Sequence, residues 1–269
     1  MTMKVAIAGF GSIGKVLARR ILESMPQFEL SAVGARDPDR TRTIVVETLG
    51  RPLQVVVSTE LARHADVILE CVPTPAFRSV VEPALQAGKT VITVSGAALL
   101  DHMDLAEVAR AGGGKLILAT GAIVGLDALR AARLGTITSA TMVTRKPPKS
   151  LATAKDVVER GKNLMALKEP ELLFKGTARE GARRFPANVN VAAAIALAGA
   201  GPDKTMLEIW TDPAVERNTH RVVVEADTAR IEVAIANVPS DDNPGTGRIT
   251  ALSMLAALEK LADPIVIGT

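Results

Sequence analysis

The stretch that most narrows the folds open to this chain is Gly9-Phe10-Gly11-Ser12-Ile13-Gly14. It follows a short apolar run, Val5 to Ala8. It leads into a segment whose Ile13, Val16, Leu17, Ile21 and Leu22 share one helical face. In that setting each glycine has a mechanical reason. Gly9 allows the tight turn, Gly11 lets backbone approach a pyrophosphate, and Gly14 permits close packing of helix on strand. The helix start at Ser12 and Ile13 offers N–H donors and a partial positive charge to phosphates. A glycine turn with a purely structural role is the competing reading.

The next hundred residues keep a strand–helix rhythm. A second strand, Leu30 to Gly34, ends in Gly34-Ala35-Arg36-Asp37. An acid at this place binds the ribose 2′-hydroxyl of NAD, whereas an arginine accommodates the 2′-phosphate of NADP. Ala35 stands where the acid is expected and Arg36 follows, so NADP is expected to be accepted alongside NAD. A solvated loop arginine is the alternative. Strands are expected at Val55 to Val57, Asp66 to Val72 (read as fully apolar), Thr90 to Val94 and Leu116 to Ala119. Helices are expected over Ala76 to Ala87 and Met103 to Ala111. Such alternation indicates a parallel sheet wound on both faces, with ligands at the strand C-termini. That places Cys71-Val72-Pro73 and Ser95-Gly96-Ala97 toward the nicotinamide end, unless they are plain loop.

From Gly121 the pattern changes. Ile137 to Val143 alternates as a half-buried strand leading into Thr144-Arg145-Lys146-Pro147-Pro148, and 151–175 reads as irregular or loosely helical. Thr177 to Phe185 is a short charged helix. Another helix starts near Asn188, whose side chain reads as an N-cap. Strands at Thr205 to Thr211, His220 to Glu225 and Arg230 to Asn237 then follow one another, which suggests an antiparallel sheet with helices on one face. A last amphipathic helix, Ile249 to Leu261, is expected to return to the first domain and cover apolar sheet surface. The expected fold is therefore α/β, a Rossmann-type doubly wound parallel sheet with an inserted α+β, mostly antiparallel, domain. Residues 1–120 plus 245–269 form the dinucleotide-binding domain and 121–244 the catalytic and dimerisation domain.

Composition removes several function classes. Apolar residues are 48% and charged residues 23%, ordinary for a globular protein. Lys plus Arg exceed Asp plus Glu by 32 to 29, and the one basic run, Arg145 to Lys149, lacks interleaved aromatics, so no nucleic-acid partner is expected. No apolar run reaches the ~20 residues that span a bilayer, and no metal is expected. The single cysteine, Cys71, fits a reducing compartment, and no secretory signal precedes the first strand, so a cytoplasmic location is expected. The absence of tyrosine excludes any mechanism built on a tyrosine proton donor.

Only three histidines occur, and one opens a strand in "RNTHRVVVEAD". Alternation puts His220, Val222 and Val224 on one face. Two readings stay open on the residues alone: a core histidine with its hydrogen bonds satisfied, and an acid/base group. Asn190, in the first turn after Asn188, is a second polar residue placed to face a ligand.

The chain resembles the L-aspartate dehydrogenase family nearly end to end. The stretches that carry the resemblance are "GFGSIG", "ATGAIVGLDAL", "TRKPP", "FPANVNVAAAIALAG", "DKTMLEIWTDP", "RNTHRVVVEAD" and "NVPSDDNPGTGRITALSMLAAL". The resemblance implies a Rossmann domain, an inserted α+β domain and a homodimer. It implies oxidation of L-aspartate to iminosuccinate by NAD or NADP, the imine hydrolysing to oxaloacetate and ammonia or feeding NAD biosynthesis. It makes His220 the catalytic histidine, and Asn190 and Val124 cofactor contacts. Val124 stands where family members commonly carry alanine, and "ECVPTPA" departs from their usual loop.

Hydride loss from Cα needs a neutral amine, so a base must take a proton, and histidine's ordinary pKa suits that task. The two substrate carboxylates need cations or helix N-termini, for which Arg145, Lys146 and Lys204 are candidates, with Asn188 beside them at the helix start. Two rivals remain: a homoserine or semialdehyde dehydrogenase of the same architecture, and an NAD(P)-binding sensor without turnover.

Overall fold

The computed structural model describes residues 2–186, 188–240, 242–243 and 245–268. Ala187, Asp241 and Pro244, which fall in two of the stretches carrying the resemblance, lie outside the described residues, as do Met1 and Thr269 at the ends of the expected first domain. The chain divides into two compact units, Met1–Ala119 with Thr250–Val266, and Thr120–Ile249 with Ile267–Thr269. Among the described residues no helix is long and apolar enough to cross a membrane.

In the first unit the elements run β1 (Met3–Ala8), α1 (Ser12–Ser24), β2 (Phe28–Ala35), α2 (Pro38–Leu49), β3 (Val55–Val57), β4 (Val67–Glu70), α3 (Phe77–Gln86), β5 (Thr90–Thr93), α4 (Gly96–Leu100), α5 (Leu105–Gly112) and β6 (Lys115–Leu118). The six strands pair in parallel in the order β3-β2-β1-β4-β5-β6. The order reverses direction beside β1, so the crevice of a doubly wound sheet opens at the ends of β1 and β4. Val5, Ile7, Val67 and Leu69 face one core with Leu17, Ala18 and Ile21 of α1. Ala6, Ala8 and Ile68 face another with Phe77, Val80 and Val81 of α3. The strand expected to be fully apolar is not: Glu70, its last residue, is 0% exposed.

The second unit contains α6 (Leu126–Ala132), β7 (Ile137–Lys146), α7 (Pro148–Leu151), α8 (Lys155–Glu159), β8 (Glu171–Thr177), α9 (Ala178–Arg184), α10 (Asn190–Ala198), β9 (Thr205–Thr211), β10 (Asn218–Ala226) and β11 (Arg230–Asn237). Among the described residues its five strands lie in the order β11-β10-β7-β9-β8. Every pair is antiparallel except β7 with β9. The last three strands therefore do not form a simple meander, because β7 separates β9 from β10. Strand β7 continues through Lys146, since Thr144 and Lys146 keep the two-residue period of burial although both are polar. It stops at Pro147, which has no N–H to donate. The region read as irregular holds β8, whose alternation is broken by a register shift between Leu172 and Phe174.

One face of this sheet is buried, with α9 and α10 packed against it at β8 and β9. Its interior half is apolar: Ala140, Met142, Leu207, Val222 and Val224. Helix α9 starts at a capping box, Thr177 accepting from the Glu180 N–H and Glu180 accepting from the Thr177 N–H. The chain closes with α11 (Ile249–Glu259), whose Ala251, Met254, Leu255 and Leu258 pack into the first unit's core with Val5, Ile7 and Leu17.

Candidate active site

In the first unit the glycine-rich loop has the geometry that its spacing suggests. Gly9 has φ +95°, and a Cβ there would meet the Cys71 carbonyl oxygen at 2.8 Å. A Cβ on Gly14 would stand 2.1 Å from the Gly9 carbonyl oxygen, so helix α1 can approach the loop only at glycine. Gly11 differs: a Cβ there would touch nothing within 4 Å. The fold does not need a glycine at that place, and the absence of a side chain keeps the backbone open at the start of α1. Gly11 is also the N-cap and supplies no capping side chain, so Ser12 and Ile13 open a helix whose first turn is not side-chain capped. Uncapped N–H groups, a helix dipole and an open backbone form a cradle that fits a dinucleotide pyrophosphate. Arg36, just past β2, is exposed. The acid next to it, Asp37, caps α2 by accepting from the Arg40 N–H at 3.1 Å.

Below the same strand ends lies a buried node. Glu70 accepts from the Val72 N–H at 2.8 Å and from the Thr93 hydroxyl at 2.5 Å, and the Ser95 side chain also hydrogen-bonds it. Thr93 in turn accepts from the Ser95 N–H at 2.9 Å. One carboxyl therefore fixes the two loops expected to face the nicotinamide. Burial raises its pKa, against the lowering effect of these donors.

In the second unit the buried sheet face turns polar at one end. His220 on β10 stands opposite Thr144 on β7, and Lys146 lies two residues further along the same face. Lys146 is level with Thr211 of β9, and Asn218 of β10 with Asn237 of β11. His220 is 5% exposed and Lys146 3%. Lys146 Nζ donates to the Asn188 side-chain oxygen at 3.3 Å and to its carbonyl at 3.4 Å. Asn188 is therefore not the N-cap of α10. That position is Val189, without a side-chain cap, and Asn190 is the first helical residue. Burial pulls Lys146 down to about 8. Burial, and then the Lys146 charge, pull His220 down to about 3, so its imidazole is neutral at ordinary pH. Within this end of the face, Thr211 Oγ1 and Asn237 Oδ1 have no hydrogen-bond partner among the described residues.

The remaining candidates sort by position. Val124, 48% exposed, sits in a loop between two left-handed glycines, Gly121 and Gly125. That loop is fastened to the polar sheet end by Asn237, whose amide donates to the Ala122 carbonyl at 3.0 Å. Two cations are not brought to His220. Arg145 projects from the opposite face of β7, where it pairs with Asp212 at 3.2 Å and lies 4.9 Å from the Trp210 ring centre. Lys204 is exposed and precedes Thr205, the far end of β9 from Thr211, some ~20 Å away at strand spacing.

Comparison with known proteins bears on this arrangement. The profile of the aspartate dehydrogenase C-terminal family matches residues 127–261, and that of the homoserine dehydrogenase NAD-binding domain matches 9–119. An L-aspartate dehydrogenase of Bradyrhizobium diazoefficiens is 49% identical over 267 residues, 99% of this chain and 94% of the relative. L-aspartate dehydrogenase 3 of Bordetella bronchiseptica is 48% identical, over 98% of this chain and 97% of its own. The chain belongs to the L-aspartate dehydrogenase family. Its fold is that of the aspartate dehydrogenase of Thermotoga maritima, with TM-score 0.74 at 24% identity and both chains fully covered. An archaeal homoserine dehydrogenase in complex with NADPH shares it at TM-score 0.60 and 14% identity, over 99% of this chain and all of its own. Within the family frame the first unit holds an NAD-binding domain.

Three residues at these nodes carried no signal of their own in the sequence. Thr144 reads as the start of a basic loop, Glu70 is hidden in an apolar run, and Asn237 closes a strand like any polar end residue. A period-two reading of β7 carried past Val143 would have found Thr144, since it falls in step with Ala140 and Met142.

Proposed function

We propose that the protein oxidises L-aspartate to iminosuccinate with NAD or NADP, the imine then giving oxaloacetate and ammonia by hydrolysis or entering NAD biosynthesis. The observation that carries the reading is a buried imidazole, kept neutral by its burial, beside a buried ammonium that has no carboxylate partner among the described residues, in a chain nearly half identical to proteins named for that reaction. Residues 1–120 plus 245–269 are assigned to the dinucleotide and 121–244 to catalysis and dimerisation.

Bound nicotinamide supplies the hydride acceptor. Gly9, Gly11, Ser12, Ile13 and Gly14 hold its pyrophosphate, Arg36 receives a 2′-phosphate, and Val124 and Asn190 complete the cofactor contacts. Lys146, steadied by Asn188, pairs with a substrate carboxylate, helped by the uncapped start of α10. His220 takes a proton from the substrate ammonium, which frees the nitrogen lone pair to form the C=N bond as hydride leaves Cα. The low pKa of His220 belongs to the ligand-free site. The two carboxylates of the substrate beside His220 and Lys146 favour the charged form of both, raising each toward its working range.

The partners are these small molecules and a second copy of the chain, with neither nucleic acid nor membrane, in the cytoplasm. The open face of the second sheet, with Val143, Met206, Trp210 and Val223, supports self-association. The deciding assay follows reduced nicotinamide across a panel of amino acids that includes homoserine. Turnover is expected with aspartate; turnover with homoserine instead, or cofactor binding without any turnover, would replace this reading.

A further inference from the structure

The contact between Thr144 and His220 contains information beyond its length. Both side chains are buried, on neighbouring antiparallel strands and directly opposite each other. Thr144 Oγ1 lies 2.8 Å from His220 Nδ1 and also 3.3 Å from the carbonyl oxygen of Thr219. A hydroxyl has one proton, and a carbonyl oxygen can only accept. Only one arrangement makes both contacts hydrogen bonds: Thr144 donates to Thr219, and Nδ1–H of His220 donates to Thr144. The reverse arrangement spends the hydroxyl proton on Nδ1 and leaves two oxygens facing each other without a hydrogen in a buried place.

We infer that Thr144 is a positioning residue that holds the His220 imidazole as its Nδ1–H tautomer, leaving the Nε2 lone pair as the only basic position. The other tautomer would present an N–H at Nε2 and could not take a proton there. The inference rests on the proposed base role of His220 for its consequence in turnover, but the tautomer itself can be read without substrate.

The experiment is a nitrogen NMR spectrum of histidine-labelled, ligand-free protein near neutral pH. With three histidines, His220→Asn assigns the signal by difference. Wild type is expected to show protonated Nδ1 and bare Nε2. Thr144→Val, which keeps the shape and removes the hydroxyl, is expected to move the signal toward the other tautomer. It should lower kcat at least about tenfold with cofactor affinity held within about twofold, since a histidine base in the wrong tautomer loses its function. Thr144→Ser should restore both. A wild-type spectrum with Nε2–H overturns the inference even if Thr144→Val does not fold. An unchanged spectrum and kcat in Thr144→Val overturns it as well. A wild-type protein that shows Nδ1–H but never oxidises aspartate would leave the tautomer standing and remove the aspartate reading instead.

Discussion

Glu70 in the first unit and the His220–Lys146 pair in the second are ionisable groups buried at strand ends, yet they are treated differently by their surroundings. The Glu70 carboxyl is met by the Val72 N–H, the Thr93 hydroxyl and the Ser95 side chain, a full set of donors drawn from adjoining loops. Among the described residues Lys146 reaches only two oxygens of Asn188, at 3.3 and 3.4 Å, and no carboxylate. Beside it, Thr211 Oγ1 and Asn237 Oδ1 are without partners among the described residues. Buried polar groups are normally satisfied, and an unpaired buried charge is expensive. The first node is complete without a ligand and acts as a fastening for two loops. The second has, among the described residues, a cation without a carboxylate partner and spare hydrogen-bonding capacity, which is what a site for an anionic, polar molecule requires.

Substitution at each node tests that difference. The largest effect is expected at His220, where His220→Ala should lower kcat about 10²- to 10⁴-fold and leave NAD(P) affinity and most of the stability intact. Near-normal turnover per folded molecule with a depressed Tm would make His220 a core residue and erase the contrast with Glu70. Glu70→Leu should do the opposite. Removing the acceptor strands the Val72 N–H and the Thr93 hydroxyl in the interior, for a loss of roughly 2–5 kcal/mol in denaturant unfolding. If that variant kept its stability but lost aspartate turnover, Glu70 would belong to the chemistry.

The two nodes also differ in how much of them the sequence displays. The cradle at Gly9, Gly11 and Gly14 is built from consecutive residues, so its spacing alone describes its geometry. The polar end of the second sheet is built from β7, β9, β10 and β11, and no local pattern records that Lys146, Thr211, Asn218 and Asn237 lie in one row. Period-two alternation did place His220 with Val222 and Val224. It is masked at Thr144-Arg145-Lys146, because threonine and two cations before a proline look like a loop. Adjacent cations are also indistinguishable until a strand separates them: Lys146 faces inward to Asn188, and Arg145 outward to Asp212 and Trp210. Asn188 resembles a helix cap in sequence, and only the fold shows its oxygen turned to a lysine.

Lys146 sharpens the comparison in sign. Its folded pKa, about 8, lies below the ~10.4 of a free lysine, so between those values the unfolded chain holds a proton that the folded chain does not. Stability then rises with pH across that window, and the penalty is fully present below pH 8. Lys146→Met should accordingly stabilise the protein at pH 7, on the order of 2–3 kcal/mol before relaxation of the site, with the gain shrinking as pH approaches 10. The same variant should raise the KM for aspartate. A buried cation whose removal destabilises the fold at pH 7 would be a structural group like Glu70, and the distinction between the nodes would fail.

The smallest effect asks whether the same rule extends to the surface. Arg36 is exposed, and the acids nearest in sequence are engaged elsewhere, Asp37 with the Arg40 N–H and Asp39 with Arg42. Among the described residues no acid pairs with its guanidinium, which leaves it for another anion, and the end of β2 is where a 2′-phosphate is received in this fold. A guanidinium–phosphate contact is charge-assisted, but in solvent it is screened, so a modest and salt-sensitive contribution is expected. Arg36→Ala should weaken NADP binding about tenfold at low ionic strength and leave NAD within about twofold, as read by titration calorimetry with each cofactor. The NADP effect should shrink as salt is added. Equal losses for both cofactors would give Arg36 a general role at the adenosine end. No loss for either would confine the rule to buried groups, where desolvation makes an unpaired charge costly, and an exposed arginine without a partner would then signify only solvation.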